Sequence, residues 1–183
     1  MRGWSALCAA ALACAAVASV PAAAAPGAPE QLRCEGVLAE ISARFINLPA
    51  DRVDDEIKDA QRRICECLRL HISVLWQRAA EPPDDFIMTH HYRPLGGPPP
   101  PEPMSAKEYY PWSMGQVEAG RTVVISCLDD LPAEAARDKE TRLRFGVKSV
   151  VTFPMSQGGE PPIGALSFID MQAERAWQEP LIQ

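Results

Sequence analysis

Six cysteines and three histidines are the residues of this 183-residue chain best suited to redox or metal chemistry, and their spacing restricts both. Cys8 and Cys14 fall in an alanine-rich leader, leaving Cys34, Cys65, Cys67 and Cys127 in the body. Four scattered cysteines lack the density of a disulfide framework. Cys65 and Cys67 stand two apart in a predicted helix. They therefore point to different faces and form a poor bidentate metal pair. They read as small buried hydrophobes or inert surface thiols. A redox thiol needs access and a depressed pKa, but these two sit near the helix C-terminus, where the dipole disfavours a thiolate. His90 and His91 adjoin in a predicted strand, so at most one of them faces a pocket, and His71 lies at the mouth of another strand. No metal site and no catalytic constellation is expected. Gly96-Gly97 and Gly158-Gly159 are turn formers with no helix N-terminus following to grip an anion. A phosphate-cradling loop, a Walker motif and a nucleophile elbow are all missing from the sequence.

The remaining candidates are binding residues. Trp76, Tyr92, Trp112 and Phe153, with His90 as a polar addition, could line an apolar cleft between a sheet and short helices. The same aromatics are major core fillers, and plain core packing is the favoured reading of them. Both roles are open at the level of sequence, and no cofactor is implied.

These residues depend on a set of elements legible from pattern. Cys34, Leu38, Ile41, Phe45 and Leu48 recur at steps of four and three, the stripe of an amphipathic helix ended by Pro49. The stripe needs a partner, either its own domain or the same helix of a second chain, and a homodimer through residues 32–48 is expected. Asp51 is the expected N-cap of a second helix, with Asp54, Asp55 and Glu56 at the positive end of its dipole. Val53, Ile57, Ala60, Ile64 and Cys67 form its buried stripe, and Lys58, Asp59, Arg62, Arg63 and Glu66 a solvated face.

Residues 72–77 and 86–92 alternate as two strands of a hairpin around the turn Glu81-Pro82-Pro83-Asp84-Asp85. Residues 93–103, with four consecutive prolines at 98–101, can be neither helix nor central strand and read as a lid-like loop. Short helices follow over 109–118 and from Pro132 to about Arg144, separated by a strand at 122–125. Residues 150–155 and 163–170 form a second hairpin whose last strand is apolar enough to be central. The order is α+β: an antiparallel sheet with helices packed on one face.

Composition narrows the partners. The formal charge is 18 − 24 = −6, and no basic stripe exists to neutralise phosphates, so nucleic acid is excluded. Arg2 followed by the uncharged run Trp4–Val20 and the small residues Pro21–Ala25 reads as an export signal cut after Ala24. A miscalled start codon is the other reading of residues 1–24, with 25–31 as a linker. The location expected is periplasmic if the leader is real and cytoplasmic otherwise.

Several fragments in order carry a family resemblance. They are Phe45-Ile46-Asn47-Leu48-Pro49 with Asp51, residues 57–68, Val74-Leu75-Trp76, Tyr110-Pro111-Trp112 with Gly120, and Leu131-Pro132-Ala133-Glu134-Ala135. The closing block is Gly146-Val147-Lys148-Ser149, Phe153-Pro154, Gly158-Gly159 and Ile163-Gly164-Ala165-Leu166. Over about 32–183 the chain resembles the GAF domain family, sensor modules related in fold to PAS domains, of the type at the front of bacterial sensor histidine kinases and σ54-dependent regulators. The resemblance implies a non-catalytic module that binds an unidentified small molecule or relays a signal in a two-component-type pathway, with a kinase or regulator output domain as partner. The family's closing helix would follow the Arg175/Trp177 region, and its absence leaves a C-terminally truncated domain or a non-functional fragment as a further expectation. The family also contains free methionine sulfoxide reductases, so a thiol-redox enzyme using Cys65, Cys67 or Cys127 is the alternative.

Overall fold

The computed structural model describes residues 28–177 apart from 47, 82–84, 97–98 and 158. The leader, Gly97, Gly158, Pro180 and the tip of the first hairpin turn lie outside the described residues.

Helix α1 spans Ala28–Phe45, so residues 28–31 are helical where a linker is expected. Pro29 sits in its first turn, where a missing N–H costs nothing. The stripe Cys34, Leu38, Ile41 and Phe45 is buried within the same chain. A 3-10 turn, Ala50–Arg52, leads into α2, Val53–Leu68. Asp51 lies inside that turn and does not cap α2; the N-cap position is Arg52, with no side-chain bond. Asp54, Asp55 and Glu56 occupy the first turn of α2 and complement its dipole instead.

The two helices run antiparallel, which pairs the start of α1 with the end of α2. Cys34 and Cys67 meet there in a disulfide, with Cα atoms 5.7 Å apart. This corrects the expectation of unpaired body cysteines. A density argument over the whole chain misses one bridge that closes a single helical hairpin. At the other end Arg44 pairs with Glu56 at 3.3 Å, and Arg63 reaches Glu40. Part of the charged face of α2 therefore serves the contact between the helices as well as solvent.

The sheet is β1 (Ile72–Arg78), β2 (Phe86–Tyr92), β3 (Val123–Ile125), β4 (Ser149–Met155) and β5 (Gly164–Asp170). Their spatial order is β2-β1-β5-β4-β3, with every pairing antiparallel. The apolar β5 is central, as its composition predicts. Between β2 and β3 lie α3 (Ala106–Tyr109) and α4 (Pro111–Glu118). Two 3-10 turns and α5 (Ala136–Arg144) lie between β3 and β4. Gly120 and Gly146 end α4 and α5 with φ of +73° each, a conformation that favours glycine.

Strand alternation divides the apolar residues into two cores. Leu75, Val151, Leu166 and Phe168 face α1 and α2. Val74, Trp76, Val150 and Ala165 face α3, α4 and the residues around α5. Helices are expected on one face of the sheet; the long helices occupy one face and the short helices cover the other. The result is an α+β fold with a helical layer on each side of the antiparallel sheet.

Candidate functional site

A cavity of about 90 Å³ lies between the sheet and the short helices. One water needs roughly 10–15 Å³ of such space, so several waters or a compact molecule would fit. Ile72, Val74 and Trp76 supply the β1 wall, Phe86 and Met88 the β2 wall, and Val150 and Ala165 the floor. Met114 and Val117 of α4 and Phe145 after α5 close the opposite side. At the rim stand exposed His91, half-buried Arg93 and half-buried Pro100, so the proline-rich loop does border the cavity.

Two buried carboxylates hold the helical side in place. Asp138 is fully buried and accepts from the backbone N–H groups of Trp112 and Ser113 at 3.1 and 3.0 Å, capping α4 from another helix. Its charge is balanced by Arg142, whose Nη1 donates to Asp138 at 3.1 Å and whose Nη2 donates to Ser113 Oγ at 2.8 Å. The guanidinium also sits 4.8 Å over the Tyr110 ring. Asp85 does the same for α3: it accepts from Phe86 N–H at 2.7 Å, Lys107 N–H at 3.0 Å and the Ser105 hydroxyl. Ser105 in turn accepts from Glu108 N–H, the N-cap bond of α3.

The polar groups of the cavity are few. Trp76 Nε1 donates to Ser167 Oγ at 3.1 Å, and Ser167 Oγ lies 2.8 Å from Thr152 Oγ1. Tyr110 packs edge-on against Trp76, ring centroids 5.8 Å apart. Burial pushes the Tyr110 phenol up to about 12, so it stays protonated and able to donate.

Of the five residues singled out from sequence, Trp76 lines this cavity and the other four do not. His90 and Tyr92 share β2 with Phe86 and Met88 at even spacing, which by strict alternation puts all four on one face. Leu75 pairs with His90 while Trp76 pairs with Met88, so Thr89 is bulged out and the alternation reverses after it. His91 consequently reaches the cavity, whereas Tyr92 packs on the α1/α2 core and His90 Nε2 meets Asp54 of α2 at 3.3 Å. Burial lowers the His90 pKa against the opposing pull of Asp54. Gln61 of α2 fastens the bulge, donating to Ser73 Oγ at 3.3 Å and to the His90 carbonyl at 3.5 Å. Phe153 alternates out of phase with Thr152 and joins the α1/α2 core, while Trp112 packs on the outside of the cavity-side core. The polar lining residues Thr152, Ser167 and Arg142 carried no sequence signal, because hydroxyls in strands and an arginine in a helix look like surface residues.

The described cysteines lie apart from the cavity. Burial pushes the Cys65 thiol up to about 12, away from reactivity. Cys127 is raised as well: a bond from the Asp129 backbone pulls its pKa down, but the Glu174 carboxylate and partial burial outweigh it. Among the described residues no group of three or more potential ligands could hold a metal ion, and no helix is long and apolar enough to cross a membrane.

No family model and no curated protein matches the sequence. Solved structures do match. A phycocyanobilin-bound GAF domain from a cyanobacterial phytochrome superposes with a TM-score of 0.62 at 17% identity, covering 81% of this chain and 85% of that one. The NreA protein of Staphylococcus aureus, mutated in its nitrate-binding site, gives 0.55 at 13% identity over 72% and 94%. The GAF domain of a two-component sensor histidine kinase from Bacillus halodurans gives 0.50 at 17% identity over 64% and 76%. Five antiparallel strands in the order β2-β1-β5-β4-β3, with helices on both faces, are the GAF-domain fold, and this chain adopts it.

Proposed function

We propose that the domain is a non-catalytic sensory module whose small-molecule ligand occupies the cavity between the sheet and α3–α5. The carrying observation is the cavity itself: apolar walls from β1, β2, β4, β5 and α4, with a few convergent polar groups, the usual composition of a small-molecule site. The similar structures support this reading, since one holds a bilin, one has a nitrate-binding site and one belongs to a sensor kinase. A role in a two-component-type pathway, with a histidine kinase or regulator as output partner, extends the same reading.

The Cys34–Cys67 disulfide supports export, because such bridges persist in oxidising compartments. Homodimerisation through residues 32–48 would use the outer side of α1 and the residue after it, where Ala39, Ala43 and Ile46 are exposed, since the apolar stripe is already covered. A thiol-redox enzyme is the weaker reading: Cys67 is bridged, Cys65 is buried and Cys127 is outside the cavity.

A thermal-shift screen of small metabolites tests the function, run beside an Ala165→Leu variant that fills the floor. A compound that raises the melting temperature of the native chain and not of the variant is the expected outcome. Equal shifts in both proteins would place binding elsewhere and reject the cavity as the sensor site.

A further inference from the structure

The hydrogen-bond inventory of the cavity restricts what it can bind. The indole N–H of Trp76 can only donate, and its partner is Ser167 Oγ. Ser167 Oγ and Thr152 Oγ1 are partners of each other. The trio therefore holds three protons and two oxygens. Whichever hydroxyl donates to the other, one O–H proton is left without an acceptor among the described residues. Both hydroxyl residues are buried, Ser167 at 5% and Thr152 at 7% exposure, and both line the cavity. A buried donor without an acceptor is costly, so this proton calls for an acceptor supplied from within the cavity. The Tyr110 hydroxyl, also on a lining residue, makes no hydrogen bond among the described residues and adds a second donor.

Charge narrows the acceptor further. Arg142 lines the cavity, but its charge is matched by fully buried Asp138 at 3.1 Å. The other basic lining residues, Arg93 and His91, belong to the rim. A carboxylate on the floor would lose its hydration and meet hydroxyl donors with no unmatched cation. An uncharged oxygen avoids that cost. Size is set by the walls: a cavity of about 150 Å³ accommodates benzene, so this one, at about 90 Å³, suits a smaller molecule on the order of four heavy atoms.

Resting on the reading of the cavity as a ligand site, we propose that it selects compact uncharged carbonyl compounds. The apolar body packs among Trp76, Phe86, Met114 and Val150, and the carbonyl oxygen accepts the spare proton of the Ser167–Thr152 pair.

Three probes of nearly equal shape test this with the full chain: acetone, 2-methylpropene and acetate. The readout is the indole N–H cross-peak of Trp76, which reports its bond to Ser167. Acetone is expected to shift that peak saturably and to bind about tenfold more tightly than the other two, the effect of one satisfied hydrogen bond in a dry site. Its carbonyl stretch is expected to move to lower frequency on binding. Equal or tighter binding of 2-methylpropene would overturn the acceptor assignment and leave the cavity as an apolar site with water serving the spare proton. Tighter binding of the carboxylate would overturn the restriction to uncharged ligands. Failure of all three to move the Trp76 peak would reject the cavity reading along with the proposal.

Discussion

Trp76 Nε1 lies 3.1 Å from Ser167 Oγ, a side-chain bond between the neighbouring strands β1 and β5 at the cavity floor. Its ring also carries the edge contact to Tyr110, so one side chain links both central strands to the turn that begins α4. Ser167→Ala removes the acceptor and leaves a buried indole N–H. The expected cost is about 1–2 kcal/mol in chemical denaturation, with a changed Trp76 indole resonance. An unchanged resonance would mean that the bond does not form in solution.

The Asp138–Arg142 pair is expected to be worth more to stability than any surface pair. Arg142→Met leaves the Asp138 carboxylate fully buried with only two backbone donors. Removing one partner of a buried pair typically costs about 3–5 kcal/mol. Arg44→Met, which breaks pairs with Glu40 and Glu56 at a half-exposed site, should cost far less, because solvent screens such pairs. Urea unfolding of both variants checks the contrast, and similar costs would contradict it.

The disulfide joins residues 33 positions apart. A loop of that length stabilises by about 3–4 kcal/mol on the chain-entropy account. Cys34→Ala/Cys67→Ala should lose about that much, and reduction of the native chain should lower its melting temperature to match the double variant. Hydrogen exchange should show the loss concentrated in α1 and the C-terminal turn of α2. Free-thiol titration of the unreduced protein should find Cys65 only after denaturation, given its burial and raised pKa.

His90 sets a pH dependence. Burial lowers its folded pKa below the ordinary 6.5. The unfolded chain therefore binds the proton more readily, and stability rises with pH across this range. The stabilising contribution is complete above about pH 6.5 and declines as the pH falls toward the lowered folded value. His90→Gln should flatten the stability profile as the pH falls below about 6.5, measured by urea unfolding at each pH. A profile with the same slope in both proteins would contradict this assignment.

Much of the fold was legible because its signals are local. The stripe from Cys34 to Phe45, the alternation in β1 and the apolar run of β5 each announce their element, and Gly120 and Gly146 mark where helices stop. The candidate site was less legible. One bulged residue, Thr89, reverses the facing of His90, His91 and Tyr92, and no local pattern in Phe86–Tyr92 announces it. Asp138, Arg142, Thr152 and Ser167 are polar residues whose burial depends on partners distant in sequence. The Cys34–Cys67 bridge likewise depends on the antiparallel packing of two helices, which the spacing of cysteines alone does not reveal.

The most direct test of the sensor assignment is an amide chemical-shift map with the strongest-binding compound of the thermal-shift screen. The largest changes are predicted at Val74, Phe86, Met114, Val150, Ala165 and Ser167, the strands and helix around the cavity. Changes centred instead on Leu38, Ile41 and Ile64, in the core beneath α1 and α2, would contradict it.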